Sequence, residues 1–117
     1  MKKILVVDDD MINRKLLNVL IKKMGDYEII EAENGMEALN IIKNDQIDMV
    51  LLDIIMPVMD GIDLLKILKN DDSLKNIPVA ILTTDDSRKN EALTLGAVNV
   101  LIKPIREPEL RNLIMQY

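Results

Sequence analysis

The sequence predicts an α/β fold in three layers, with a parallel sheet of five strands flanked by five helices, and three observations lead there. Short apolar runs rich in β-branched residues recur at Lys3–Val7, Glu28–Ala32, Met49–Leu52, Val79–Leu82 and Val100–Ile102. Amphipathic stretches at helical spacing separate them. Met49–Leu52 is apolar throughout, as suits a central parallel strand covered on both faces. Strands and helices in strict alternation imply right-handed crossovers that place helices on both sides of one sheet.

The elements follow in order. After Lys3–Val7, the stretch Met11–Met24 puts Ile12, Leu16, Val19, Leu20 and Met24 on one helical face and Lys15, Lys22 and Lys23 toward solvent, with Gly25 as a stop. Glu28–Ala32 is a short strand closed by Asn34-Gly35, and Met36–Lys43 carries a second stripe of Ala38, Leu39 and Ile42. Beyond Met49–Leu52, Gly61 opens a third helix with Ile62, Leu65 and Leu68. Pro78 introduces Val79–Leu82, and a less apolar helix spans Ser87–Leu95 before Gly96. Val100–Ile102 precedes a last helix, Glu107–Met115, whose Pro108 lies in the first turn, where a missing amide proton costs little.

Composition narrows the function. The chain has 117 residues, about one domain, and 49% of them are apolar, enough for a core. No apolar run reaches the roughly 18–20 residues of a membrane span, and Met1-Lys2-Lys3 runs straight into a strand with no signal-peptide pattern, so the expected compartment is the cytoplasm. Cysteine is absent, which removes thiolate nucleophiles and cysteine metal sites. Histidine is absent too, which excludes an imidazole base and a phosphohistidine within this chain. A formal net charge of −5 argues against binding nucleic acid or an anionic membrane. The expected partner is a protein or a small molecule.

The strand ends hold the chemistry. Ile4–Val7 delivers Asp8, Asp9 and Asp10; Met49–Leu52 delivers Asp53; Val79–Leu82 delivers Thr83 and Thr84; Val100–Ile102 delivers Lys103 and Pro104. In a parallel α/β sheet all these ends share one edge, where ligands bind. Taken alone, the Asp triplet reads equally well as a helix cap with solvated charge. Joined with Asp53, two of its members form an oxygen donor set for a hard divalent cation such as Mg²⁺. Asp53 can act as a nucleophile toward phosphorus, with Lys103 and the Thr83 hydroxyl neutralising and binding the moving phosphoryl oxygens.

The segments Ile4-Leu5-Val6-Val7-Asp8-Asp9-Asp10, Leu51-Leu52-Asp53 through Met59-Asp60-Gly61, Leu82-Thr83-Thr84 and Leu101-Ile102-Lys103-Pro104 resemble the receiver domain of bacterial two-component response regulators, of the single-domain chemotaxis and sporulation-regulator kind. The resemblance covers residues 1–117 and implies a flavodoxin-like sheet in the order 2-1-3-4-5. It implies phosphorylation on Asp53, with Asp9, Asp53 and the backbone carbonyl of Ile55 as direct ligands of Mg²⁺, or of Mn²⁺ in its place, and Asp8 holding the ion through water. Thr83 and Lys103 take the phosphoryl-binding roles, and the Lys103–Pro104 bond is expected cis. The implied donor is a phosphohistidine on a sensor histidine kinase or histidine phosphotransfer protein, docking around Met11, Ile12, Arg14, Lys15 and Leu17; for Ile12 and Leu17 the plainer reading is core packing, and it is the favoured one for Ile12. A downstream protein target, a monomer or a phosphorylation-dependent dimer, and no enzymatic activity beyond the chain's own phosphorylation and dephosphorylation complete the expectation.

Three positions depart from the family pattern. Many members place Tyr or Phe three residues before the lysine, where this chain has Val100, so the expected route of switching runs through Thr84–Ser87 instead of an aromatic ring. Ile55 offers no polar side chain to orient an attacking water, and Thr84 narrows access, so a long-lived phosphoryl group is expected. Other classes fit less well. A haloacid-dehalogenase-like phosphatase needs a second acid at position 55 and a cap domain, and a nucleotide-binding domain needs a glycine-rich phosphate loop. A degenerate receiver would not keep the acids, Thr83 and Lys103 together.

Overall fold

The computed structural model describes residues 1–117. Five strands, β1 (Lys2–Val7), β2 (Tyr27–Ala32), β3 (Met49–Leu52), β4 (Val79–Thr83) and β5 (Asn99–Ile102), form one parallel sheet in the order β2-β1-β3-β4-β5. Helices α1 (Met11–Lys22), α2 (Gly35–Asn44), α3 (Gly61–Lys69), α4 (Lys89–Thr94) and α5 (Glu107–Gln116) connect and follow the strands. This is the expected three-layer, flavodoxin-like arrangement.

Strand periodicity divides the interior in two. Leu5, Val7, Val50, Leu52, Val79, Ile81 and Val100 point to one face and pack against α2, α3 and α4. Ile4, Val6, Met49, Leu51, Ala80, Leu82 and Leu101 point to the other, beneath α1 and α5. Successive side chains alternate between faces, so a central strand must be apolar at every position, as β3 is. Each fully buried Leu or Ile contributes about 1.5–3 kcal/mol relative to exposure.

The sheet order fixes the site. From β1 the chain passes through α1 to β2 at one edge, then crosses back through α2 to β3 on the other side of β1. Between β1 and β3 the connections therefore diverge, which opens a crevice at the carboxyl ends of these two strands. Asp8 and Asp53 follow those ends directly.

Several boundaries and one helical face differ from expectation. The first helix stops at Lys22, and its buried residues are Arg14, Leu17 and Ile21. The expected apolar face is instead largely open, with Ile12, Leu16 and Val19 all exposed. Both faces of α1 are apolar, so periodicity alone could not choose between them; Arg14 tips the choice because its partners lie on the sheet side. Leu17 thus packs in the core and Ile12 does not. The Ser87–Leu95 helix is split into a 3-10 turn, Asp86–Arg88, and α4, because the Asp85 carboxylate accepts from the Ser87 N–H and hydroxyl and starts the turn early. Thr83 lies within β4, which extends one residue further than expected.

One backbone position carries strain. Val58 sits at φ 71°, where a β-branched side chain crowds the following carbonyl, and with 83% exposure it gains no packing in return. The Met59 N–H donates to the Pro57 carbonyl at 2.8 Å, which closes a γ-turn around it. Val58→Gly is expected to raise stability in urea unfolding by about 0.5–2 kcal/mol, the left-handed strain less the added flexibility of glycine. A variant no more stable than the parent would show that the turn bears no such strain.

Candidate functional site

The site is assembled by main-chain bonds before any side chain acts. The Asp53 N–H donates to the Val7 carbonyl at 3.0 Å, so the acid after β3 is tied to the end of β1. The Lys103 N–H donates to the Thr83 carbonyl at 2.7 Å, which ties the residue after β5 to the end of β4. The Lys103–Pro104 peptide bond is cis, as expected. The Gly61 N–H donates to the Ile54 carbonyl at 2.8 Å, pressing the start of α3 against the loop that follows Asp53.

The side chains converge accordingly. Lys103 Nζ lies 2.9 Å from Asp8 Oδ2 and 3.3 Å from Asp53 Oδ2, bridging the two acids. Asp8 is buried and Asp9 exposed, and one carboxylate oxygen from each of Asp8, Asp9 and Asp53 lies within 4.8 Å of the others. Three carboxylates against one ammonium leave an excess of negative charge in a half-buried crevice, which a divalent cation would neutralise. The donors are all hard oxygens, and the chain has no histidine or cysteine, so the residues fit Mg²⁺ or Mn²⁺ and not a thiophilic metal. Asp10 stands apart from this set: it caps α1 by accepting from the Ile12 N–H at 2.9 Å, so the triplet divides into a cap and two site acids.

Electrostatics follow from this packing. Burial pushes the Asp53 carboxyl above its ordinary range; Lys103 opposes that shift, the Asp8 charge adds to it, and the nearby Ile55 N–H opposes it to a smaller extent. Burial alone would lower Lys103, but its bond to Asp8 and the attraction of Asp53 and Asp8 raise it on balance. Lys103 is therefore an ammonium throughout the neutral range, and Asp53 is a carboxylate with elevated basicity.

Thr83 is fully buried at the end of the neighbouring strand, and its Oγ1 accepts from the Asp85 N–H at 3.2 Å. Its hydroxyl is thus tied to the β4–α4 loop and makes no bond to Asp53 or Lys103. The Ile55 side chain is exposed, and Thr84 is exposed in the loop after β4. Two residues gained a place that the sequence reading had not given them. Arg14, expected on the docking surface, is buried and bonds to Asp8 and Glu31; its position three residues before Leu17 and seven before Ile21 is the signal that could have marked it. Gly61, expected to open α3 at the end of the segment that follows Asp53, also abuts the Asp53 backbone itself.

A doubly wound sheet whose adjoining strand ends present convergent carboxylates, a lysine on a cis-proline turn and a buried hydroxyl defines a class of protein, the metal-assisted acceptors of phosphoryl groups on aspartate. Residues 4–115 match the response regulator receiver domain, and the chain belongs to that family, the phosphoacceptor module of two-component signalling. It is 40% identical over 118 residues to the sporulation initiation phosphotransferase F of Bacillus subtilis, covering 99% of this chain and 93% of the relative. It is also 40% identical over 115 residues to the two-component response regulator-like PRR37 of Oryza sativa subsp. indica, covering 95% of this chain but only 15% of the length of that protein. Among solved structures, the response regulator protein TrrA of Thermotoga maritima in complex with Mg²⁺-BeF has a TM-score of 0.90 at 32% identity, over 99% of this chain and 98% of that one. No helix is long and apolar enough to cross a membrane.

Proposed function

We propose that Asp53 accepts a phosphoryl group from a phosphohistidine on a sensor histidine kinase or histidine phosphotransfer protein, and that the resulting acyl phosphate switches a protein-binding surface. The observation that carries this reading is the Lys103 ammonium bridging Asp8 and Asp53 beside a third carboxylate within 4.8 Å. Asp9, Asp53 and the Ile55 carbonyl would hold Mg²⁺ directly, with Asp8 acting through water; that the Thermotoga relative was solved as a Mg²⁺-BeF complex supports the choice of cation. When bound, the cation supplies neutralisation of charge on the transferring oxygens.

The chain's own residues do the rest. An Asp53 carboxylate oxygen forms the new P–O bond as the P–N bond of the donor breaks, and the electron pair stays on the imidazole nitrogen, which takes up a proton. Lys103 leaves one of its two acids to pair with a phosphoryl oxygen as a point charge. Thr83 reaches the same group only by turning its hydroxyl away from the Asp85 N–H, which frees the Thr84–Ser87 loop. Val100 is buried and has no ring to rotate, which favours this loop as the reporter. The chain acts on itself and is in this sense not an enzyme, and its setting is the cytoplasm.

Donor docking is assigned to the open face of α1. Leu16, Val19 and Leu20 continue into a groove of about 640 Å³ that reaches Thr84, Lys103 and Ile105, so a partner lying there meets the mouth of the site. The test is to incubate the protein with Mg²⁺ and acetyl phosphate, and separately with beryllofluoride, and to record intact mass and amide spectra. Stoichiometric addition, with amide shifts at Thr84–Ser87, is expected. No addition under either condition, or turnover of phosphate esters in place of addition, would overturn the proposal.

A further inference from the structure

The Asp8 oxygens are all occupied by the protein. Oδ2 accepts from Lys103 at 2.9 Å and Oδ1 from the Asp10 N–H at 2.9 Å. The main-chain carbonyl, which lies past the last paired residue of β1, accepts from Arg14 Nη1 at 2.6 Å. Arg14 is 7% exposed, unusual for a guanidinium, and its Nε donates to Glu31 Oε1 on β2 at 3.1 Å. Glu31 is fixed in turn by Lys15 at 2.8 Å and Asn18 at 3.4 Å, both on α1. The planar fork of arginine reaches an acceptor just past β1 and another on β2 at once, which the single ammonium of lysine cannot do at fixed geometry.

We propose that Arg14 is a positioning residue of the phosphoacceptor site: anchored on Glu31, it holds the Asp8 carbonyl and so sets where Asp8 and Asp9 meet a divalent cation. The chain Glu31, Arg14, Asp8, Lys103, Asp53 then runs from the edge strand to the acceptor, with Arg14 meeting Asp8 at its main-chain carbonyl and Lys103 meeting the carboxylates of Asp8 and Asp53. Arg14 does not touch the reacting atoms; it acts through the backbone that carries the acids. The inference rests on the reading of Asp53 as a phosphoacceptor assisted by a divalent cation.

The experiment compares wild type, Arg14→Lys, Arg14→Met and Leu113→Ala at a temperature where circular dichroism finds each folded. Leu113→Ala, a core truncation in α5, controls for lost stability. Calorimetric titration of Mg²⁺ gives the binding constant, amide spectra of the metal-free proteins report on Asp8–Asp10, and acetyl phosphate at saturating Mg²⁺ gives the rate of phosphorylation. Arg14→Lys should weaken Mg²⁺ binding about tenfold and Arg14→Met more, within the range of roughly 10–100-fold seen when groups that orient metal ligands are lost. The Asp8–Asp10 amides should shift before any metal is added, while Leu113→Ala keeps wild-type affinity. If Arg14→Met fails to fold, Arg14→Lys alone decides. Unchanged Mg²⁺ affinity in Arg14→Lys, or an equal loss in Leu113→Ala, overturns the role given to Arg14 and leaves the phosphoacceptor reading standing. A wild type that takes up neither Mg²⁺ nor phosphoryl group overturns both.

Discussion

Asp53→Asn is expected to abolish phosphoryl uptake and, in metal-free protein near neutral pH, to raise stability. The first effect follows from removing the carboxylate proposed to accept the phosphoryl group. The second follows from the direction of its titration. Burial raises the Asp53 carboxyl above its ordinary value of 3.8, so the folded state binds the proton more tightly than the unfolded chain. Ionised Asp53 therefore opposes folding at every pH above its folded value, and that penalty fades as pH falls through the folded value toward 3.8. The neutral amide avoids the penalty, for a gain on the order of 1 kcal/mol, moderated by solvent at the mouth and by the lost attraction to Lys103. Thermal unfolding with a chelator present should show a midpoint raised by roughly 4 °C at pH 7, with the difference vanishing near pH 4. A variant less stable than wild type at pH 7 would mean that the Lys103 pair outweighs burial. Excess Mg²⁺ should reverse the order, since only the wild type keeps the full donor set, and a ligand at a hundredfold its dissociation constant adds about 2.7 kcal/mol.

Gly61→Ala is expected to destabilise the fold by about 1–3 kcal/mol and to slow phosphorylation by an order of magnitude or more. The sign is informative, because helix propensity alone favours alanine over glycine by roughly 1 kcal/mol. A methyl group at Gly61 would run into the Asp53 carbonyl oxygen and lie 2.9 Å from the Asp53 carbonyl carbon and the Ile54 Cα. These are backbone atoms, which no rotamer change can move aside. Either α3 retreats and loses its hold on the Ile54 carbonyl, or the main chain of Asp53 shifts away from Asp8 and Lys103. Urea unfolding measures the first outcome and acetyl phosphate incorporation the second. A variant as stable and as reactive as wild type would mean that the loop has room to yield. Gly35 guards the same loop from the other side, where a Cβ would lie 2.8 Å from Met59 Cγ and 2.9 Å from its carbonyl oxygen.

Much of this site was legible because strand periodicity is a strong signal and strand ends are where it stops. Asp8, Asp9, Asp53, Thr83 and Lys103 each follow or end an apolar run, and parallel pairing brings such positions to one edge whatever lies between them. Helix α1 was harder to read. Its sequence offers Ile12, Leu16, Val19 and Leu20 on one side and Leu17 and Ile21 on the other, and the side with fewer aliphatic residues is the buried one. What decides is Arg14, whose burial is compensated by an acid on β2 and a carbonyl just past β1, seventeen and six residues away in sequence. Helical periodicity, which compares residues within one turn or two, carries no information about such partners.

By itself, then, the sequence determined the alternation of strands and helices, the layer count and the identity of the acids, hydroxyl and ammonium at the strand ends, since local period and residue chemistry suffice for those. Tertiary structure alone decided which face of α1 meets the sheet, that Asp10 caps a helix while Asp8 and Asp9 face the crevice, and that Gly61 and Arg14 hold the backbone of Asp53 and Asp8. Those outcomes depend on contacts between elements far apart in the chain, and only the packed sheet brings them within reach.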